Sequence, residues 1–69
     1  MSIDEAIKDA LSDYLRLKGR DIYYATGYRE RRYYDGEIEV EIYYMDNDYD
    51  PCTMTYYGTL GDLIKEMEN

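Results

Sequence analysis

The sequence predicts an α+β domain ordered α-β-β-β-α: a three- or four-stranded antiparallel meander with helices on one face. Three observations carry this. A capped stretch of helical apolar spacing opens the chain, strictly alternating segments fill its middle, and a second capping pattern starts near Thr59. The length admits one domain, 1–69.

Ser2 followed by Glu5 reads as a capping box. Ile3, Ile7, Ala10, Leu11, Tyr14, Leu15 and Leu17 then recur at helical spacing with a broad apolar face, and Gly19 supplies a left-handed stop. A helix over 3–18 follows. Glu5, Asp9 and Asp13 fall on its outer side as a solvated face, with Lys8 and Arg16 close enough to offset part of their repulsion.

Residues 21–34 are extended, being rich in aromatic and β-branched types. Gly27 marks either a bulge inside one long strand or a break between two short ones, and the residues leave both open.

Glu37, Glu39 and Glu41 alternate with Ile38, Val40 and Ile42, giving a strand with one oily and one acidic face. Asp35-Gly36 before it signals a hairpin. A two-residue turn would pair Tyr34 with Glu37. A three-residue loop with Gly36 left-handed pairs Tyr33 with Glu37, and sets Arg31 against Glu39 and Arg29 against Glu41. The second register is preferred, because opposite charges across a ladder stabilise it by a few tenths to about 1 kcal/mol per pair. It also places Glu30 and Arg32 at the rim of the core.

Asp46 to Pro51 is a loop. Cys52, Met54 and Tyr56 then alternate with Thr53, Thr55 and Tyr57 in a third strand, which Gly58 ends. Thr59 with Asp62 opens a helix over 60–67, with Leu60, Leu63, Ile64 and Met67 inward.

The chain carries a net charge of −8. Residues 1–34 hold six acids and seven bases, whereas 35–69 hold ten acids and one base. Nucleic acid and anionic membrane are poor partners for such a second half, and a basic protein is its complement. Eleven tyrosines stand beside no Phe and no Trp, and eight of them form adjacent pairs. In a strand each pair puts one ring on either face. Tyr33, Tyr43 and Tyr57 are expected on the outer face beside the glutamates, where tyrosine gives contact area at little entropic cost. Cross-strand ring pairing that merely stabilises the sheet explains any single tyrosine equally well.

There is no histidine, glycine-rich phosphate loop or zinc spacing, so no catalytic residue, metal or cofactor is expected. Asp46, Asp48 and Asp50 imitate the start of a calcium loop, but Pro51 and Tyr57 stand where Gly and Glu are needed. Cys52 is the only cysteine, which fits a reducing cytoplasm. No run of residues has the length and hydrophobicity of a membrane span, and no signal peptide is expected. A chain this short buries about 60% of its unfolded surface, so it gains from a homodimer or a tight partner.

Carboxylates at alternate strand positions repeat about every 6.6–6.8 Å, on the order of a nucleic-acid phosphate step. In size, acidity, tyrosine richness and helix-and-sheet order, though in no residue motif, the chain resembles small acidic inhibitors of phages and mobile elements. Anti-CRISPR, anti-restriction and uracil-DNA glycosylase inhibitor proteins are of this kind. The resemblance implies a non-enzymatic inhibitor of the DNA-mimic type, acting in the host cytoplasm. Glu37, Glu39, Glu41, Asp46, Asp48 and Asp50 would stand in for phosphates in a basic groove, with Tyr43 and Tyr49 as anchors. The rival expectation is a structural or regulatory module that binds itself or another subunit through its tyrosine face or an open sheet edge.

Overall fold

In the computed structural model, which describes residues 2–68, the elements follow the expected order. They are α1 (Ile3–Leu17), β1 (Tyr24–Arg32), β2 (Ile38–Met45), β3 (Pro51–Tyr57) and α2 (Leu60–Met67). The strands form one antiparallel sheet in the order β1-β2-β3. No helix among the described residues is long and apolar enough to cross a membrane.

The Ser2 side chain accepts from the Glu5 N–H at 3.2 Å and starts α1. Gly19 ends it with φ of 79°, while the Arg20 N–H reaches back to the Leu15 carbonyl at 3.1 Å. Leu11 and Leu15 are fully buried, and Tyr14 nearly so. The two ends of the expected apolar face do not join them, since Ile3 is 79% and Leu17 is 86% exposed. Leu17 lies two residues past Leu15, roughly 200° further round the axis. Ile3 overhangs a core that a chain this small cannot extend to the helix start.

β1 is one strand with a bulge, which settles the choice left open at Gly27. Ala25 faces Tyr44 and Gly27 faces Tyr43, so Thr26 is the extra residue. The bulge shifts the alternation by one. Ala25 and Tyr28 thereby share the core side opposite Tyr44 and Ile42. Among the described residues no separate strand precedes it.

The hairpin takes the three-residue register. The Tyr33 N–H donates to the Glu37 carbonyl at 2.9 Å, Gly36 has φ of 89°, and Arg31 faces Glu39 and Arg29 faces Glu41. β3 puts Cys52, Met54 and Tyr56 against the core as expected.

Val40, Ile42 and Tyr44 of β2 meet Leu11 and Leu15 of α1 and Leu63 of α2, so both helices cover the same sheet face. Two polar contacts fix the layers. Ser12 is buried in α1, where its Oγ donates to the Lys8 carbonyl at 2.9 Å and accepts from the Ala25 N–H at 2.8 Å. Glu30 of β1 accepts from the Leu60 N–H at 2.9 Å, in the first turn of α2. Thr59 and Asp62 form a reciprocal capping box, whereas at the start of α1, among the described residues, only the bond from the Glu5 N–H to Ser2 is present.

Candidate protein-binding surface

With the helices on one side, the other face of the sheet is built from alternate residues of each strand. Three rows cross it: Gly27, Tyr43 and Thr53; Arg29, Glu41 and Thr55; Arg31, Glu39 and Tyr57. The Tyr43 ring lies over Gly27, where a side chain would have met it at 3.8 Å. Tyr33 is 47% exposed and Tyr57 79%. The three tyrosines expected on this face are therefore there, although Tyr43 is half-buried.

Doublets inside a strand split as expected. Tyr44 is buried and Tyr43 lies outside, while Tyr56 packs on the core and Tyr57 is exposed. Doublets at strand ends do not split. Tyr23 and Tyr24 are both exposed, as are Tyr33 and Tyr34, because the pleat that separates neighbours is lost where the strand gives way to a turn.

The acidic row is only partly bare. Arg31 donates to Glu41 and leaves that side chain 16% exposed, and Tyr43 donates to the other Glu41 oxygen at 3.3 Å. The Tyr33 hydroxyl donates to Glu39. This bond holds the Tyr33 phenol above its ordinary pKa, and Glu41 likewise raises the Arg31 guanidinium. The ion pairs expected between directly opposed residues, Arg31 with Glu39 and Arg29 with Glu41, do not form. Strand twist brings the diagonal neighbour into reach of a long side chain. Glu37 is exposed and forms no ion pair among the described residues. On the β3 side Glu39 meets Tyr57 and Glu41 meets Thr55, neither of them charged.

The Asp46–Asp50 turn stands at the other end of β2. Glu37 and Asp46 are nine positions apart along the strand, roughly 30 Å at extended rise. Asp46 is half-buried, and its Oδ1 accepts from the Asp48 and Asp50 N–H groups, each at 2.9 Å. The carboxylate thus builds the turn. Asp48, Tyr49 and Asp50 are exposed. Tyr49 has φ of 63°, uncommon for an aromatic residue, and sets its ring edge-on against Tyr23 at 5.4 Å.

Asp21 is a member of this cluster that the sequence did not disclose. It accepts from Asn47, and its carboxylate lies within 4.8 Å of those of Asp46 and Asp48. The meander brings the start of β1 beside the β2–β3 turn, a proximity with no local signal. With one oxygen from each carboxylate the cluster offers three ligand atoms, and a calcium ion takes six to eight. Their effect is to concentrate negative charge next to exposed rings. Cys52 packs against the core, and burial followed by Asp46 raises its thiol pKa.

Comparison with protein-family models, with curated proteins and with solved structures finds no match to this chain.

Proposed function

We propose that this protein is a non-enzymatic inhibitor of the DNA-mimic type, which occupies a basic nucleic-acid-binding groove on a target protein. The observation that carries the reading is the one-sided setting of the acidic row. Its β1 flank is partly neutralised by Arg31, whereas its β3 flank presents only hydroxyls. A cationic wall approaching from the β3 side meets carboxylates and no competing base.

The row and the turn together span the length of β2, which suits an elongated groove better than a small pocket. Glu37, Asp48 and Asp50 supply the exposed charge, and Tyr49 and Tyr57 the exposed rings. Glu39 and Glu41 are held in place by Tyr33 and Arg31 and contribute shape and local field more than free charge. Asp46 acts through the turn it closes, and Tyr43 through its packing on Gly27.

The experiment is capture of proteins from bacterial lysate on the immobilised chain, with retained proteins challenged by salt and by duplex nucleic acid. Under this reading the retained protein binds nucleic acid. Duplex displaces it, and affinity falls steeply with ionic strength. Replacing Glu37, Glu39 and Glu41 together by Gln abolishes retention. Retention that ignores salt, duplex and the triple substitution removes the proposal.

A further inference from the structure

The sheet has two free edges, and they are built differently. β1 carries Arg29, Glu30, Arg31 and Arg32, bulges at Thr26, and has its Ala25 N–H taken by Ser12. Charges, bulges and covering side chains are the devices that keep strand edges from pairing with other chains. β3, over Pro51–Tyr57, has no charged residue and no bulge against β2.

The phase of its hydrogen bonding follows from two contacts. The Gly58 N–H donates to the Ile38 carbonyl at 3.1 Å, and the Asp46 N–H to the Asp50 carbonyl at 3.0 Å. In an antiparallel ladder bonded and non-bonded pairs alternate, so Cys52, Met54 and Tyr56 bond to β2. The N–H groups of Thr53, Thr55 and Tyr57 point away from it. Pro51, which has no N–H to offer, falls in the same outward phase. Among the described residues no side chain accepts from these three donors.

We infer that this edge pairs antiparallel with β3 of a second copy of the chain, about a two-fold axis at Thr55. The two sheets then become one continuous sheet. Thr55 stands opposite its own copy, Thr53 opposite Tyr57, and Met54 opposite Tyr56. About six backbone hydrogen bonds form, two at each outward-facing pair. The side-chain neighbours are Thr with Tyr on the outer face and Met with Tyr on the core face, both favourable across a ladder. Met54 and Tyr56 are only partly buried in one copy, and pairing extends the core over them.

A second copy is the occupant that the charge pattern selects. Each chain carries −8, and β3 is the one strand where two copies meet with no like charges in the paired segments. It also offers no charged handle by which a foreign strand would be chosen. The paired edge borders the β3 flank of the acidic row but leaves the outer sheet face open, and salt separates this inference from the acidic-row reading. Screening weakens docking on a cationic groove but strengthens association of two anions.

The test is sedimentation together with amide hydrogen exchange on the full chain, from micromolar to millimolar concentration at low and high salt. The expected mass is twice 8.3 kDa at high concentration, with more dimer at high salt. The Thr53, Thr55 and Tyr57 amides slow at least about tenfold as the dimer forms, because each becomes a ladder donor. The Met54 and Tyr56 amides are protected throughout.

Thr55→Pro removes an outward donor that the β2 ladder does not use, and returns a monomer whose Met54 and Tyr56 amides stay protected. The exchange measurement needs no variant and decides the matter even where Thr55→Pro fails to fold. A chain that stays monomeric at millimolar concentration in high salt overturns the inference. So does a dimer whose three outward amides keep their monomer rates, or an edge protected only when a foreign protein is bound.

Discussion

Arg31 donates to Glu41, two positions along β2 from Glu39, the residue it faces. The diagonal reach leaves Glu39 to the Tyr33 hydroxyl and leaves Arg29 without an ion pair among the described residues. One arginine thereby neutralises Glu41, the hydroxyl of Tyr33 holds Glu39, and the charge offered to a partner falls to Glu37 and to the turn.

Arg31→Ala follows from that arrangement with effects of opposite sign. The pair is solvent-facing on the arginine side, so the fold loses little and the thermal midpoint falls slightly. Binding to a cationic target tightens several-fold, because Glu41 is released and a repelling charge is gone. Calorimetric unfolding and titration against the captured target measure the two. Weaker binding by the variant would show that Arg31 itself touches the partner.

Ser12→Ala is expected to destabilise far more than its place in a helix suggests. The Ala25 N–H it satisfies is at the bulge and belongs to a residue only 5% exposed, where water does not replace the lost acceptor. An unsatisfied buried donor costs about 1–3 kcal/mol. At roughly 4–8 °C per kcal/mol for a chain of this size, the midpoint falls well outside error. Ser12→Thr keeps the oxygen and recovers much of the loss. Chemical denaturation of the three chains makes the comparison.

The register was legible because charge and backbone agreed on it. Arg31 against Glu39 and Arg29 against Glu41 required the same loop that lets Gly36 take a positive φ. Alternation likewise disclosed which side of β3 faces the core, since Cys52, Met54 and Tyr56 are consecutive same-face positions. The misreadings concern what one-dimensional spacing does not encode. Twist chose the diagonal ion pair. Strand ends removed the alternation from the doublets at Tyr23 and Tyr33. Chain topology, not any motif, carried Asp21 to Asn47. Ser12 carries no local signal, because a hydroxyl on an amphipathic helix looks like any surface residue until its neighbour is known.

Asp46 separates charge from architecture. Its Oδ1 accepts the Asp48 and Asp50 N–H groups, a role that an amide oxygen fills as well as a carboxylate. Asp46→Asn is expected to keep the turn while removing one negative charge from the cluster with Asp21 and Asp48. Asp46→Ala opens the turn and frees Tyr49 from its ring contact with Tyr23. Amide exchange at Asp48 and Asp50 reports this directly, being near wild type in the Asn variant and fast in the Ala variant. Equal protection in both would mean that the backbone bonds between Asp46, Tyr49 and Asp50 hold the turn unaided.

Glu30 makes the join between β1 and α2 sensitive to acid. The Leu60 N–H holds its carboxyl below the ordinary glutamate range, with Arg32 assisting at 3.0 Å and partial desolvation opposing. A depressed carboxyl favours the fold only while it is ionised. Its contribution is complete above the unfolded pKa of about 4.3 and is lost as pH falls through the lower folded value. The useful quantity is the difference between the wild-type chain and Glu30→Gln, which isolates this one carboxyl. Glutamine still offers an oxygen to Leu60 but has no proton to take up in this range. At neutral pH the wild type is therefore the more stable of the two. The gap narrows steadily as pH falls below about 4.3, and closes once Glu30 is protonated in both folded and unfolded states. Urea unfolding of both proteins from neutral pH downward gives the difference curve. A gap that does not change with pH would locate the acid sensitivity elsewhere and leave Leu60 bonded to Glu30 without regard to its charge.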